Sequence, residues 1–285
     1  MKLRDLLKDA QEKKVALGHF NFATSEVLRG IIEAAAELGL PVLVATSEGE
    51  RKFIGLRQAV NLVKAFREEF GIPIFLNADH TKSFEGIKAA VDAGYDAVLF
   101  DGSALPFEEN LKIAKQSVEY ARSKNADIVI EGELGYLKGE SKIQRERITV
   151  QPDDYTKPHQ AKQFVDETGV DLLAPSIGNI HGIALGEPNL NIELLADIKT
   201  NIGSAGIVLH AGSGIPDKQV QSAIQSGVNV VHINTDLRVA FADGLRHSLA
   251  QNQSETTPYK IFEVPVAMTK QVAMEKLEVF SGLKS

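Results

Sequence analysis

GIVLHAGSGIPDKQVQSAIQSGVNVVHINT, residues 206–235, holds one complete unit of the fold. A short apolar run ends at His210, a glycine-rich turn follows, PDKQVQSAIQSG has helical period, and a second apolar run, VNVVHINT, ends in polar residues. Neither run alternates with polar residues, as expected of parallel strands covered on both faces, and a helical crossover is what joins parallel neighbours. Working outward, the alternation occurs eight times between Val15 and Ala250. The candidate strands are residues 15–21, 41–47, 72–79, 97–103, 127–135, 172–179, 206–213 and 228–235. Several intervening helices are expected to stop on a glycine, at Gly39, Gly71, Gly94, Gly169 and Gly227.

Repeated βα units make this an α/β chain with a parallel sheet. A closed (β/α)8 TIM barrel competes with an open doubly wound sheet. The count of eight, with no glycine fingerprint after the first strand, favours the barrel, in one domain spanning 1–285. The longest irregular stretch, residues 137–158, is polar and follows the fifth strand, where barrel enzymes carry active-site loops, so it is expected to act as a mobile lid. A C-terminal helix is expected near 259–280, either covering the barrel's edge or meeting another subunit.

Composition narrows the chemistry. With 31 basic and 38 acidic residues the net charge is -7, which gives no electrostatic reason to approach nucleic acid or an anionic membrane. No cysteine is present, so thiolate chemistry and disulfides are excluded and a metal site would use His, Asp and Glu. The start, MKLRDLLKDAQEKK, is charged and amphipathic, and no apolar stretch is long enough to span a bilayer, so a cytoplasmic protein is expected.

The candidate strands are apolar at their starts and polar at their ends: Asn21, Ser47, Asp79 with His80, Asp101, Glu131 with Glu133, His181, His210 with Ser213, and Asn234 with Thr235. A barrel brings all those ends to one face. Three imidazoles there, His80, His181 and His210, with an open fourth position describe a catalytic zinc site. At a strand end, neighbouring side chains splay apart, so Asp79 can transfer protons while His80 binds metal. Glu131 and Glu133 share a face, inward or outward, and inward carboxylates need a cation or donors. His19, His159 and His247 are read as structural, and His232, inside the eighth strand, stays open. The small residues of IHGIALGE (180–187) and HAGSGI (210–215) allow backbone N–H groups to approach an anion, with phosphate the natural guess.

With these residues in place, the chain resembles the class II, metal-dependent fructose-bisphosphate and tagatose-bisphosphate aldolases over nearly its whole length. The shared motifs are GHFNFAT, ATSEGERKFIG, LNADH, DGSALPFEEN, EGELG, YTKPHQAKQFVDETGVD, IGNIHG, LHAGSGIP and INTDLR, in order. The resemblance implies Zn2+ on His80, His181 and His210, with Asp79 as the acid/base at the C4 hydroxyl. Asp101 and Glu133 resemble residues around an alternative, more buried metal position. Asn21 and Ser47 are implied substrate-binding residues. Gly182, Gly212, Ser213, Asn234 and Thr235 would hold a phosphate, with a monovalent cation (Na+ or K+) nearby. The implied reaction is reversible cleavage of a ketose 1,6-bisphosphate, foremost fructose 1,6-bisphosphate, to dihydroxyacetone phosphate and glyceraldehyde 3-phosphate, in glycolysis and gluconeogenesis. Zinc would polarise the C2 carbonyl and stabilise the enediolate, a term of several kcal/mol. No candidate strand ends in lysine, which disfavours a Schiff base. Family members are usually dimers or tetramers.

Three positions depart from the family pattern. The stretch after EGELG reads YLKGESK, which puts Ser141 where the family has the glutamate that moves a proton at C1 of dihydroxyacetone phosphate. A one-residue shift would restore Glu140 as that base. His232 stands where the family commonly has an asparagine bonded to the enediolate oxygen, and Ala211 replaces a glycine. The alternatives are a tagatose-bisphosphate or related phosphorylated-ketose aldolase, and a non-catalytic sugar-phosphate-binding barrel.

Overall fold

The computed structural model describes residues 1–186 and 188–284. Its strands in chain order are β1 (Leu17–Asn21), β2 (Val42–Thr46), β3 (Ile74–Thr81), β4 (Ala97–Phe100), β5 (Val129–Leu134), β6 (Gly139–Ile143), β7 (Leu172–Pro175), β8 (His181–Ile183), β9 (Gly206–Leu209) and β10 (Val228–Ile233). Eight of these close into a parallel barrel in the order β1-β10-β9-β7-β5-β4-β3-β2, so the open sheet is excluded. The seam pairs β1 with β10 and places His19 opposite His232. All eight expected strands are present. Residues 137–158 are less irregular than expected, because β6 lies within them and pairs in parallel with β8 outside the barrel.

The helices are α1 (Leu3–Lys13), α2 (Ser25–Leu38), α3 (Glu48–Ile54), α4 (Leu56–Phe70), α5 (Phe84–Ala93), α6 (Phe107–Lys124), α7 (Pro158–Thr168), α8 (Ile192–Asn201), α9 (Asp217–Gln225), α10 (Thr235–Gln251), α11 (Pro258–Ile261) and α12 (Glu263–Phe280). Gly39, Gly71, Gly94 and Gly169 are left-handed C-caps of α2, α4, α5 and α7. At α9 the cap is Ser226, and Gly227 with φ 113° turns the chain one residue later.

Strand alternation layers the barrel interior. The lower layers are apolar: Leu17, Leu43, Ala97, Val129, Leu172, Ala174, Val208 and Val230, sealed from below by Leu3, Leu6, Leu7 and Ala10 of α1. Two residues further along β1, β3, β5 and β10 the interior turns polar, with His19, Asn77, Glu131 and His232 buried. One end of the barrel is therefore a dry plug and the other a polar chamber. Burial of the lower layers drives closure, and it also isolates the chamber above from bulk water.

α12 packs against α2 and α10 and so covers the seam. The approach to α10 is close: a Cβ on Gly244 would lie 2.7 Å from Pro265 Cα and 2.9 Å from Pro265 N. Backbone cannot yield as a flexible side chain would. Gly244→Ala is expected to cost roughly 1–3 kcal/mol of stability. Urea unfolding followed by circular dichroism measures this, and an unchanged midpoint would show that the α10–α12 contact relaxes freely.

Candidate active site

The chamber is assembled from strand ends. β5 presents Glu131 and Glu133 inward, 2% and 1% exposed, which decides between the two faces left open by their spacing. On β3, Asn77 and Asp79 point inward by the same alternation, and His80 would ordinarily point away. It does not, because the β3–β4 register shifts between Ala78 and Thr81 and His80 takes φ 42°, in the left-handed region. β3 accordingly runs two residues past Asp79, and His80 Nε2 comes within 4.0 Å of Asp79 Oδ1. His210 follows the end of β9 and leaves the sheet through Ala211, at φ 57°. Asn179 Nδ2 donates to the His210 carbonyl at 3.0 Å and anchors that turn. His181 opens β8, outside the barrel.

The three expected ligands meet. One nitrogen of each of His80, His181 and His210 lies within 4.8 Å of the others. Ligands at about 2.0–2.1 Å from a tetrahedral zinc stand roughly 3.4 Å apart, inside that limit. His80 Nδ1 bonds Asp101 Oδ2 at 2.9 Å, and His210 Nε2 bonds Glu131 Oε1 at 2.6 Å. Each pair fixes a tautomer and leaves His80 Nε2 and His210 Nδ1 free for metal. His80, Asp101 and Glu133 form a second set of possible ligands. Glu133 Oε2, Asp79 Oδ1 and His232 Nε2 are buried without a hydrogen-bond partner among the described residues. Nitrogen donors, carboxylates and unpaired buried acceptors together suit a divalent cation.

The electrostatics agree. Burial alone would strip the proton from His80, but Asp79, Asp101 and Glu133 outweigh it and raise its pKa to about 10. Burial, with His80 and His210 alongside, pushes His181 down to about 3. Burial and the adjacent Asp101 push Glu133 up to about 7. Burial opposes ionisation of Asp79, yet His80 and His232 hold it well below the usual carboxylate range.

Beside the histidines lies a pocket lined by Asn21, Asp79, Ser141, Gly182, Ser213, His232, Asn234 and Thr235. Ser213 Oγ accepts from the backbone N–H groups of Asn234 (3.3 Å) and Asp236 (3.2 Å), which fastens the turn to the N-terminus of α10. The Gly212 N–H is already given to the His232 carbonyl at 2.9 Å, so that glycine serves packing first. Gly182 has φ 88°, and a Cβ there would meet the Lys142 and Glu140 carbonyls at 2.1 and 2.4 Å. It is the residue that lets β6 dock.

β6 presents Ser141 to this pocket, and Glu140 lines the adjoining cavity with His80, Asp101, Glu133 and His181. The Glu140 carboxylate pairs with Lys142 at 2.7 Å and is 75% exposed, as alternation along the strand requires. Ser47 lies apart from this pocket lining, as N-cap of α3 in a capping box with Glu50.

Five residues in and around the chamber, Asn77 among them, escaped the sequence reading. His19, taken as structural, stacks on His232 with centroids 3.4 Å apart and planes 2° from parallel, and its Nε2 meets Asn77 Nδ2 at 3.0 Å. Arg51 is buried and donates to the Asp79 carbonyl at 3.0 Å. Glu50 and Arg238 form an ion pair at 2.6 Å. The S-x-x-E spacing of Ser47 and Glu50 signalled a helix start. Nothing local signalled the long-range partners.

Comparison with known proteins adds an independent line. A family profile described as "Fructose-bisphosphate aldolase class-II" matches residues 1–283. A fructose-bisphosphate aldolase of Geobacillus stearothermophilus is 35% identical over 283 residues, covering 98% of this chain and 96% of that protein. One from Staphylococcus epidermidis is 33% identical over 281 residues, with 98% and 96% covered. Among solved structures, the YdjI aldolase from Escherichia coli K12 superposes with a TM-score of 0.83 at 29% identity, covering 99% and 98%. A fructose-bisphosphate aldolase from Campylobacter jejuni, at 20% identity, shares the fold with a TM-score of 0.84 over 98% and 93%.

The proton on His80 must leave when a metal binds, so metal affinity is expected to rise with pH and to level off only near the His80 pKa of about 10. Asp101→Asn takes the negative charge from the group bonded to His80 Nδ1 and is expected to weaken binding about 10–100-fold. Chelator competition measures both, and a pH-independent affinity would remove His80 from the ligand set.

Proposed function

Because the chain belongs to the class II fructose-bisphosphate aldolase family, we propose that it reversibly cleaves the C3–C4 bond of fructose 1,6-bisphosphate, with Zn2+ held by His80, His181 and His210. It is a metal-dependent carbon–carbon lyase acting on phosphorylated sugars. The observation that carries the finer reading is the state of Asp79. Its Oδ2 accepts from Asn21 Nδ2 at 2.9 Å, while Oδ1 is buried without a hydrogen-bond partner among the described residues and faces His80 and His232.

An ionised carboxylate with one free oxygen can take the C4 hydroxyl proton. As it does, C4–O becomes a carbonyl, the C3–C4 bond breaks, and its electron pair passes to the three-carbon fragment. Bound zinc would supply Lewis acidity at the substrate carbonyl oxygen, worth several kcal/mol. Burial, with His19 and His210 adjacent, keeps the His232 pKa well below its usual value, so a neutral ring can donate an N–H to the developing charge where an asparagine would otherwise do so. Gly182 and Ser213, with Asn234 and Thr235 at the N-terminus of α10, suit a substrate phosphate, with Na+ or K+ beside the same turns, while Gly212, its N–H already given to the His232 carbonyl, supports the turn. Asn21 steadies Asp79, and Ser47 shapes the neighbouring turn. Asp101 and Glu133 flank a second metal position. Glu140 as the base at C1 requires residues 137–158 to move as a lid, because its carboxylate now faces solvent. A homodimer or tetramer in the cytoplasm completes the proposal. Among the described residues no helix is long and apolar enough to cross a membrane.

A coupled assay with fructose and tagatose bisphosphates tests the activity. Asp79→Asn is expected to keep its zinc and lose about 10²–10⁴-fold in turnover, whereas His181→Ala loses both. A zinc-loaded wild type that cleaves neither sugar and binds dihydroxyacetone phosphate poorly would overturn the proposal.

A further inference from the structure

One buried carboxylate has no place in the chemistry above. Glu50 sits in the first turn of α3, its side chain 7% exposed, and four donors surround it. Its Oε2 accepts from Ser47 N at 2.7 Å and Asn21 Nδ2 at 2.9 Å, and its Oε1 accepts from Arg238 Nη2 at 2.6 Å and Asn234 Nδ2 at 3.3 Å. A capping box needs only the first of these. The other three reach residues 29, 184 and 188 positions away.

Those contacts lie on a continuous path. Arg238 Nη1 donates to the Ser141 carbonyl of β6 at 3.0 Å, and its Nη2 is on Glu50. Asn21 uses its amide nitrogen twice, toward Glu50 Oε2 and toward Asp79 Oδ2, both at 2.9 Å. The path thus runs from β6 through Arg238, Glu50 and Asn21 to Asp79. Glu50 is its junction. Because every group around it is a donor, only an acceptor on both oxygens satisfies them, which a carboxylate supplies and an amide does not. In a buried site an unsatisfied donor is costly, so each contact constrains the next.

We propose that Glu50 is a positioning residue that couples docking of β6 to the orientation of the Asp79 carboxylate. The proposal rests on the aldolase reading for the role of Asp79, and on hydrogen bonds alone for the coupling. With β6 docked, Arg238 is held between Ser141 and Glu50, and the Asn21 amide is aimed at Asp79. With β6 undocked, Arg238 loses one of its two anchors and the alignment of Asn21 loosens. Closure over the substrate and readiness of the base would then occur together.

Glu50→Gln preserves shape and still allows a capping box, but it presents an NH2 to one of the donors. Arg238→Ala removes the link to β6 from a half-exposed position and leaves Glu50 in place. Both are made in the full chain, singly and together. Amide hydrogen exchange of residues 139–143 and steady-state kinetics are the readouts. Each single variant is expected to speed exchange in β6 and lower kcat about tenfold, with KM moving less than about threefold. The double variant is expected to be no worse than the poorer single one, since both break the same path. If Glu50 only caps α3, Glu50→Gln leaves β6 exchange and kcat at wild-type values. Either that result or additive losses would overturn the proposal. Exchange is measured without turnover, so a wild type inactive on sugar bisphosphates would fail the aldolase reading while the coupling is still decided.

Discussion

Four carboxylates and five histidines share the upper end of one barrel, and keeping so many ionisable groups away from water is the constraint on which the rest depends. A buried charge is tolerated only when it is paired. Here the pairs are local: Asp101 with His80, Glu131 with His210, and Asp79 among His80, His232 and Asn21. The pairing is incomplete, as Glu133 Oε2 and Asp79 Oδ1 show, and the remaining need is for positive charge at the centre. A divalent cation meets that need better than further protons. The family's dependence on metal and the electrostatics of this chamber express the same requirement.

Holding such a cluster requires backbone that ordinary strands do not provide. His80 and Ala211 both occupy left-handed backbone conformations, which cost a non-glycine residue roughly 1–2 kcal/mol each. One aims a candidate ligand, His80, that alternation would have turned outward, and the other bends the chain after a second candidate, His210. Gly182, under the carbonyls of β6, admits a strand where a side chain would exclude it. Strain and close approach therefore concentrate at the chamber, supported by the apolar layers beneath and by α1 sealing the base.

Two residues that the sequence resemblance set apart, His232 and Ser141, have distinct surroundings. His232 does not stand alone. It sits opposite His19 across the β1–β10 seam, and the two rings stack. Ser141 faces the pocket because Gly182 and Arg238 hold β6 in that register, and Glu140 is left with Lys142.

The eight-fold alternation of apolar runs and helical segments determined a parallel α/β fold and favoured the barrel over an open sheet, because parallel strands buried on both faces and glycine-stopped helices are local patterns, and the closed strand order decided between the two. The same logic exposed His80, His210 and Asp79, since strand ends can be counted along a chain and a barrel brings them to one face, whereas His181, expected just past a strand over 172–179, follows a strand that stops at Pro175 and opens β8 outside the barrel. Tertiary structure alone decided the inward facing of Glu131 and Glu133, the turn of His80 on a shifted register, the stacking of His19, and the four donors around Glu50. Each depends on contacts between segments far apart in sequence or on a single backbone angle. Residue spacing carries neither, so those features appear only when the barrel closes.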